Sequence, residues 1–106
     1  MGSDYNAVLK RLYSEAMIHK FVLLFLKDDS FAQLQTALEK EDAKEAFRAA
    51  HTLKGVCQNL GFDNLFQPAY DLTETLRTGQ LEGTGAQFAR VKREYERTVA
   101  AIRALD

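Results

Sequence analysis

The chain contains few residues of the types that build disulfide frameworks or interrupt helices. Its 106 residues include one cysteine, one proline, six glycines and no tryptophan. Because Cys57 has no second cysteine to pair with, an internal disulfide is excluded. Proline and glycine are the strongest breakers of regular structure, so their scarcity favours long helices. A chain of this size can bury enough apolar surface to fold without a structural metal.

Long apolar runs and an excess of one charge are also absent. The longest apolar run, from Phe21 to Leu26, is much shorter than the roughly 20 residues that a membrane-spanning helix needs. The formal net charge is −1, and acidic and basic residues are interleaved, which excludes the basic patch typical of nucleic-acid or anionic-membrane binding. Since there is no signal-peptide pattern, we expect a cytoplasmic protein that binds a protein or a small ligand, and neither nucleic acid nor membrane.

What is present is a repeated pattern of apolar residues at the spacing of amphipathic helices. There is no internal repeat and no change in composition, so residues 1–106 are predicted to form a single domain. The pattern predicts an all-α, antiparallel up-down four-helix bundle preceded by a short N-terminal helix over residues 5–12. The longer helices are predicted over residues 14–27 and 30–40, either separate or stacked as one kinked rod, and over 43–60, 67–78 and 84–105.

Three local signals set the boundaries of the central helices. Asp42 and Glu45 fit a capping-box pattern at the start of the helix over 43–60. Gly61 follows its last apolar residue, which is the usual position of a left-handed C-cap. Inside a helix Pro68 would clash with the carbonyl of Asn64, so a loose turn is predicted at 63–66.

His51 lies near the middle of the helix that follows Asp42. At about 100° per residue, the small and apolar residues of this helix fall on the side away from His51. The imidazole is therefore expected to be exposed to solvent. The residues that fall within roughly 60° of it are Phe47, Lys54, Gly55, Gln58 and Phe62.

Gly55 and Lys54 fit an anion attached to this imidazole. Glycine inside a helix costs about 1 kcal/mol relative to alanine, so Gly55 requires a local reason, and it leaves space for a bulky group one turn from His51. Lys54 can place its ammonium beside such an anion. An imidazole with an ordinary pKa of about 6.5 is neutral and nucleophilic at cellular pH. The face suits a phosphorylated histidine, but the chain has no Gly-rich nucleotide loop or acidic magnesium cluster of its own.

The run Ala50-His51-Thr52-Leu53-Lys54-Gly55, followed by Gly61, resembles the signature of histidine-containing phosphotransfer (HPt) domains of bacterial phosphorelays. The resemblance covers nearly the whole chain. It implies a phosphorelay intermediate that exchanges a phosphoryl group between the outer nitrogen of His51 and the aspartate of a receiver domain. The other features that match the family's layout are Phe25, the step from Ala37-Leu38 to Asp42, and the helix from Leu72 to Gly79.

The resemblance also implies partners and a role for individual residues. Lys54 would stabilise the phosphoryl group, Gly55 would leave it space, and an apolar rim around His51 would dock the receiver domain. We expect Phe47 and Phe62 in that rim. The partners would be a receiver domain and a sensor histidine kinase. The chain itself would be a carrier without kinase activity and without a cofactor, because the magnesium ion belongs to the receiver.

One position departs from the family pattern. Family members often place Glu or Gln where this chain has Thr73, and that side chain accepts a hydrogen bond from the inner nitrogen of the histidine ring. Thr73 is shorter, so we expect the orientation of the ring to depend instead on Tyr70, Gln58 or water, and Thr73 is kept as a candidate for hydrogen bonding.

Two other functions remain open. A non-phosphorylated helical adaptor that binds a receiver domain is motivated by the departure at Thr73. A hydrolase or phosphatase would need a second general acid or base near His51, which the pattern does not supply. Cys57 lies about 240° around the helix from His51, which excludes a Cys–His nucleophile pair within the helix. Because His19, His51 and Cys57 do not share ligand spacing, no metal site is predicted.

Overall fold

The protein is described by a computed structural model over residues 15–104. This part of the chain contains five α-helices and no strand, which confirms the prediction of an all-α protein for the described residues. The short helix predicted over 5–12 and the end of the last predicted helix lie outside the described residues. The helices are α1 Glu15–Lys27, α2 Ser30–Glu39, α3 Ala43–Leu60, α4 Asp63–Arg77 and α5 Thr84–Arg103. Among these helices, none combines the length and the apolarity of a membrane span.

The start of α3, the helix that carries His51, follows the predicted signal in part. Oδ1 of Asp42 accepts a hydrogen bond from the backbone N–H of Glu45 at 3.1 Å, which is the first half of a capping box. The reciprocal half is replaced, because the N–H of Asp42 donates to the carbonyl of Ala37 at 2.9 Å. The cap therefore ties the start of α3 to the end of α2.

The same type of turn ends both α2 and α3. After α3, Gly61 adopts a φ of 77°, and the N–H of Phe62 donates to a carbonyl in the last turn of the helix at 2.9 Å. After α2, Glu41 adopts a φ of 56°, and the N–H of Asp42 donates to Ala37 in the equivalent bond. Such turns need one residue in the left-handed region. Glycine adopts this conformation without strain, whereas Glu41 adopts it at the cost of backbone strain.

The helix α4 begins earlier than predicted. It starts at Asp63 and contains Pro68, so the predicted loose turn at 63–66 is wrong. Pro68 removes one N–H that would bond to the carbonyl of Asn64, but this loss is confined to the second turn of the helix. Pro68 itself is buried together with its apolar neighbours, and this burial offsets the missing hydrogen bond.

Consecutive helices pack against each other, α2 on α3, α3 on α4 and α4 on α5. The pair α4 and α5 is antiparallel. Asn64 early in α4 donates to Glu94 at 2.8 Å, whereas Asp71 further along α4 pairs with Arg90 earlier in α5 at 3.6 Å. The helices bury small and aliphatic residues between them, chiefly Leu34, Ala46, Ala50, Leu53, Leu65, Ala69, Leu72, Leu76 and Val91.

Aromatic rings connect helices that are distant in sequence. Phe25 of α1 meets Phe62 edge to face with ring centroids 5.0 Å apart, and lies 5.5 Å from Tyr95 of α5. Phe31 of α2 stacks on Tyr95 at 4.1 Å and on Phe88 at 5.4 Å. This aromatic column joins α1, α2, α5 and the turn between α3 and α4 into one core.

Candidate functional site

His51 lies near the middle of α3 and is exposed, as predicted from the helical pattern. The opposite side of α3 consists of small and aliphatic residues that pack into the core. Because that side is fixed by the packing, the imidazole is held on the outer surface of the protein. The buried residues of α3 are Ala46, Ala49, Ala50, Leu53, Cys57 and Leu60.

Two contacts between a cation and an aromatic ring join α3 to α4 on either side of His51. One turn before His51, the Phe47 ring lies 5.8 Å from the imidazole between centroids, and the guanidinium of Arg77 lies 5.1 Å from the centre of the Phe47 ring. One turn after His51, the ammonium of Lys54 lies 5.7 Å from the centre of the Tyr70 ring. Arg77, late in α4, thus faces Phe47, early in α3. Tyr70, early in α4, faces Lys54, later in α3. The two helices are antiparallel here, and the imidazole lies between two cations.

Glu74 lies on α4 between the two residues that make these contacts, and therefore opposite His51. Its carboxylate accepts hydrogen bonds from Arg77, from Nε at 3.2 Å and from Nη2 at 3.0 Å. This hydrogen bonding lowers the pKa of the Glu74 carboxyl, and the positive charges of Arg77, Lys54 and His51 lower it further. The same bonds raise the pKa of Arg77. A carboxylate is thus placed beside the histidine and the two cations.

Glu74 is not among the residues predicted from the sequence, although a signal for it exists. The turn at Gly61 reverses the chain at Phe62, so residues at equal distances before and after Phe62 face each other in antiparallel helices. The contacts of Phe47 with Arg77 and of Lys54 with Tyr70 follow this rule. The same rule brings residue 73 opposite His51. Because Thr73 belongs to the buried side of α4, the adjacent Glu74 is the residue that this helix presents next to the exposed face.

Thr73, the position at which the family pattern expects a ring-orienting residue, points into the core. Its side chain is 0% exposed, and its Oγ1 donates to the carbonyl of Ala69 at 2.6 Å. Thr73 as a candidate for hydrogen bonding to the imidazole is therefore wrong. Gln58 is exposed about two turns beyond His51, roughly 10 Å along the helix axis, so it lies at the edge of the face. Its role in orienting the ring stays a prediction.

Phe62, predicted to lie in the apolar rim, is buried. It is 2% exposed and packs against Phe25 in the aromatic column. The helical angle that placed it near His51 assumes that the helix continues, whereas the left-handed turn at Gly61 redirects the chain inward. Phe62 as a docking residue is therefore wrong. Tyr70, which is 41% exposed, is the aromatic residue that α4 contributes to this face.

Gly55 borders open space. A Cβ atom added at this position would meet no other group of the protein within 4 Å. Glycine weakens a helix by about 1 kcal/mol, and no contact in the described part of the chain requires it at this position. The surface next to His51 is accordingly open to an approaching partner.

Cys57 is a core residue, as predicted. It is fully buried, and this burial, with a smaller contribution from the charge of Asp28, raises the pKa of its thiol to about 12. The thiol is therefore neutral and shielded, which is the opposite of what a nucleophilic cysteine requires. Within residues 15–104, no three or more His, Cys, Asp or Glu side chains are grouped so as to hold a metal ion.

The site is thus one exposed surface shared by two helices, which we call the His51 face. It consists of Phe47, His51, Lys54 and Gly55 from α3 and of Tyr70, Glu74 and Arg77 from α4.

The family model described as Hpt domain matches residues 27–101, a range that includes the whole His51 face. No curated protein and no solved structure gives a significant match.

Proposed function

The chain belongs to the Hpt domain family, and from this premise we propose that it is a phosphorelay intermediate that carries a phosphoryl group on His51. Hpt domains are phosphotransfer carriers of two-component signalling that exchange phosphoryl groups with receiver domains and kinases. The observation that supports His51 is its exposed position beside Lys54, next to the open surface at Gly55. The proposal includes a single domain over residues 1–106 and an up-down arrangement of its helices.

The proposed transfer forms one bond and breaks one. The lone pair on Nε2 of neutral His51 attacks the phosphorus of the receiver's aspartyl phosphate, and the aspartate leaves as a carboxylate. The imidazole ring keeps its proton on Nδ1 and carries a positive charge until that proton is lost. Attack by a receiver aspartate on the phosphorylated ring runs the same step in reverse. A magnesium ion bound by the receiver would neutralise part of the charge of the phosphoryl group.

Two residues of the His51 face have direct tasks in this step. Lys54 lies one turn from His51, and moving its ammonium from the Tyr70 ring to the phosphoryl oxygens exchanges a cation–π contact for a stronger charge-assisted hydrogen bond. Glu74 lies opposite the ring, and its carboxylate would accept the hydrogen bond from Nδ1–H. That bond would fix the tautomer whose lone pair is on Nε2, which is the role that the family pattern gives to a Glu or Gln at the position of Thr73.

The aromatic residues of the face would dock the receiver domain. Phe47 is half-buried beside the imidazole, and Tyr70 is 41% exposed on the other helix. Both present apolar surface next to charged groups, a combination typical of protein interfaces.

The test is phosphotransfer from phosphorylated receiver domains of the same organism. The wild-type protein is expected to acquire phosphate that is labile in acid and stable in base, and His51→Gln is expected to acquire none. His19→Gln is the matched control, because His19 is also exposed but lies on α1, and it should be labelled like the wild type. Equal labelling of His51→Gln and wild type by every receiver would contradict the proposal.

The adaptor function is separated from this proposal by binding. Its motivation was the missing carboxylate at Thr73, and Glu74 supplies a carboxylate on the same helix. Receiver binding that His51→Gln leaves unchanged, together with the absence of phosphohistidine in the wild type, would support the adaptor.

A further inference from the structure

A second cation besides Lys54 lies within reach of His51. The guanidinium of Arg77 lies 5.1 Å from the centre of the Phe47 ring, and that ring lies 5.8 Å from the imidazole ring between centroids. Arg77 extends from α4 to the turn of α3 that precedes His51, whereas Lys54 belongs to the turn that follows it. The two cations therefore approach the imidazole from opposite ends.

In the absence of a phosphoryl group, Arg77 is held by Glu74 and by the Phe47 ring. The Glu74 carboxylate accepts from Nε at 3.2 and 3.3 Å and from Nη2 at 3.0 Å. The side chain of Arg77 is 51% exposed and that of Glu74 is 40% exposed, so solvent weakens this ion pair. A weak exposed pair is easily exchanged for a better one.

A phosphoryl group on His51 would change the competition for Arg77. It carries a charge of about −1.5 to −2 and three acceptor oxygens, against a single charge on Glu74. The planar guanidinium fits phosphate oxygens with two parallel hydrogen bonds. The phosphoryl group would also repel the Glu74 carboxylate, which lies opposite the ring.

On the basis of the proposed function, we propose that Arg77 is a second phosphoryl-binding residue, which leaves Glu74 and binds the phosphoryl group when His51 is phosphorylated. Lys54 and Arg77 then hold the group from the two ends of the His51 face. The Phe47 ring keeps the guanidinium near its destination in the unphosphorylated protein. No covalent bond is made or broken in this exchange.

The test measures the ionisation of the phosphoryl group itself. The full chain is phosphorylated with potassium phosphoramidate, a small donor that needs no partner protein, and the phosphohistidine signal is titrated by ³¹P NMR. A cation in contact with the group favours its dianionic form, so the pKa of the phosphoryl group is expected to be higher in Arg77→Gln than in wild type by about one unit. Arg77→Lys should give an intermediate value.

Arg97→Gln is the matched control. Arg97 pairs with Glu94 three residues earlier at 3.2 Å, as Arg77 does with Glu74, but lies on α5. This variant should titrate like the wild type. An equal phosphoryl pKa in Arg77→Gln and wild type would overturn the inference and leave the proposed function intact. Absence of phosphohistidine in the wild type would contradict the proposed function, and the inference with it.

A second measurement needs no variant. In ¹H–¹⁵N spectra of the wild-type protein, the Nε–H signal of Arg77 is expected to shift when His51 is phosphorylated, and that of Arg97 is expected to stay in place. An unchanged Arg77 signal would show that the guanidinium remains on Glu74, and this outcome would also overturn the inference.

Discussion

Glu74 on α4 lies opposite His51 on α3, and the charge of the histidine contributes to the low pKa of the Glu74 carboxyl. The relationship depends on the pairing of the two helices. Tyr70 and Arg77, one turn to either side of Glu74, contact Lys54 and Phe47, one turn to either side of His51. The residue that we propose to orient the imidazole is therefore on α4, one position from the one that the family pattern indicates.

Replacement of Glu74 tests this positioning role. In Glu74→Ala the inner ring nitrogen loses its acceptor, so phosphotransfer to His51 is expected to slow on the order of tenfold, the effect of one charged hydrogen bond. Glu74→Gln keeps an acceptor oxygen and should be less affected. The ¹⁵N shifts of the ring report the tautomer directly, and they should change in Glu74→Ala.

The control for this prediction is Glu45→Ala. Glu45 forms an i,i+3 pair with Arg48 at 3.5 Å, similar to the pair of Glu74 with Arg77, but it lies two turns before His51 on another side of α3. Its loss should leave transfer unchanged. Identical ring shifts in wild type and Glu74→Ala would rule out a positioning role for Glu74.

Gly55→Ala is expected to separate stability from function. The added methyl group meets no atom of the protein within 4 Å, and alanine favours the helix, so the free energy of unfolding should rise by up to about 1 kcal/mol. If the proposed function holds, phosphotransfer should fall by about tenfold or more, because the methyl group would stand in the path of the receiver. Urea unfolding and transfer kinetics measure the two effects.

Gly85→Ala serves as the comparison. Gly85 lies in α5, is exposed and also has open space around it. It should gain stability without loss of transfer. If Gly55→Ala transfers phosphate as fast as Gly85→Ala does, the open surface at Gly55 has no role in partner approach.

Glu41→Gly is expected to stabilise the protein. Glu41 has a φ of 56°, which strains any residue with a side chain, and glycine removes this strain. Part of the gain is lost because glycine is more flexible in the unfolded state, so the net increase should be about 0.5–1 kcal/mol. The reverse change at the equivalent turn, Gly61→Ala, should destabilise by a comparable amount. Thermal unfolding of both variants checks the pair, and a lower melting temperature for Glu41→Gly would refute the strain.

The burial of the Cys57 thiol is expected to make the folded protein less stable at high pH. Burial raises the pKa of the thiol from 9.0 to about 12 in the folded protein. Between these values the unfolded chain releases the thiol proton and the folded chain keeps it, so the unfolded state binds fewer protons and stability falls as pH rises. The fall is at most about 1.4 kcal/mol per pH unit from this group. The effect vanishes about one pH unit below the unfolded pKa of 9.0, where both states keep the thiol proton.

The measurement compares wild type with Cys57→Ala from pH 8 to pH 11. Other groups also titrate in this range, so the informative quantity is the difference in slope between the two proteins. Cys57→Ala should lose stability less steeply with rising pH. Parallel slopes would mean that the thiol ionises as readily in the folded protein as in the unfolded one.

The parts of the site that could be predicted from the sequence are those that depend on one helix alone. The exposure of His51 and its proximity to Lys54 and Gly55 follow from the period of α3, because its opposite side is apolar. The position of Phe62 could not be extrapolated in this way, since the left-handed turn at Gly61 ends the periodicity.

The contribution of α4 depends on how that helix is rotated about its axis. The buried positions Leu65, Ala69, Leu72 and Leu76 place Thr73 among them, on the inward side, and leave Glu74 next to the exposed side. The family pattern indicates Thr73 because a linear sequence pattern carries no information about the rotation of α4 around its axis. The predicted start of α4 is also wrong. The destabilisation expected from Pro68 is offset by its burial, and this burial depends on the tertiary structure.

The aromatic column has a consequence for how the protein unfolds. Phe62, between α3 and α4, meets Phe25 of α1, and Phe25 lies against Tyr95 of α5, which stacks on the ring that α2 contributes. Detaching any of these elements therefore exposes rings of its neighbours. Cooperative melting in a single transition is the expected behaviour, and amide hydrogens of all five helices should then exchange through the same global opening. A phosphorylated imidazole on such a scaffold would be displayed by a surface whose backbone does not rearrange.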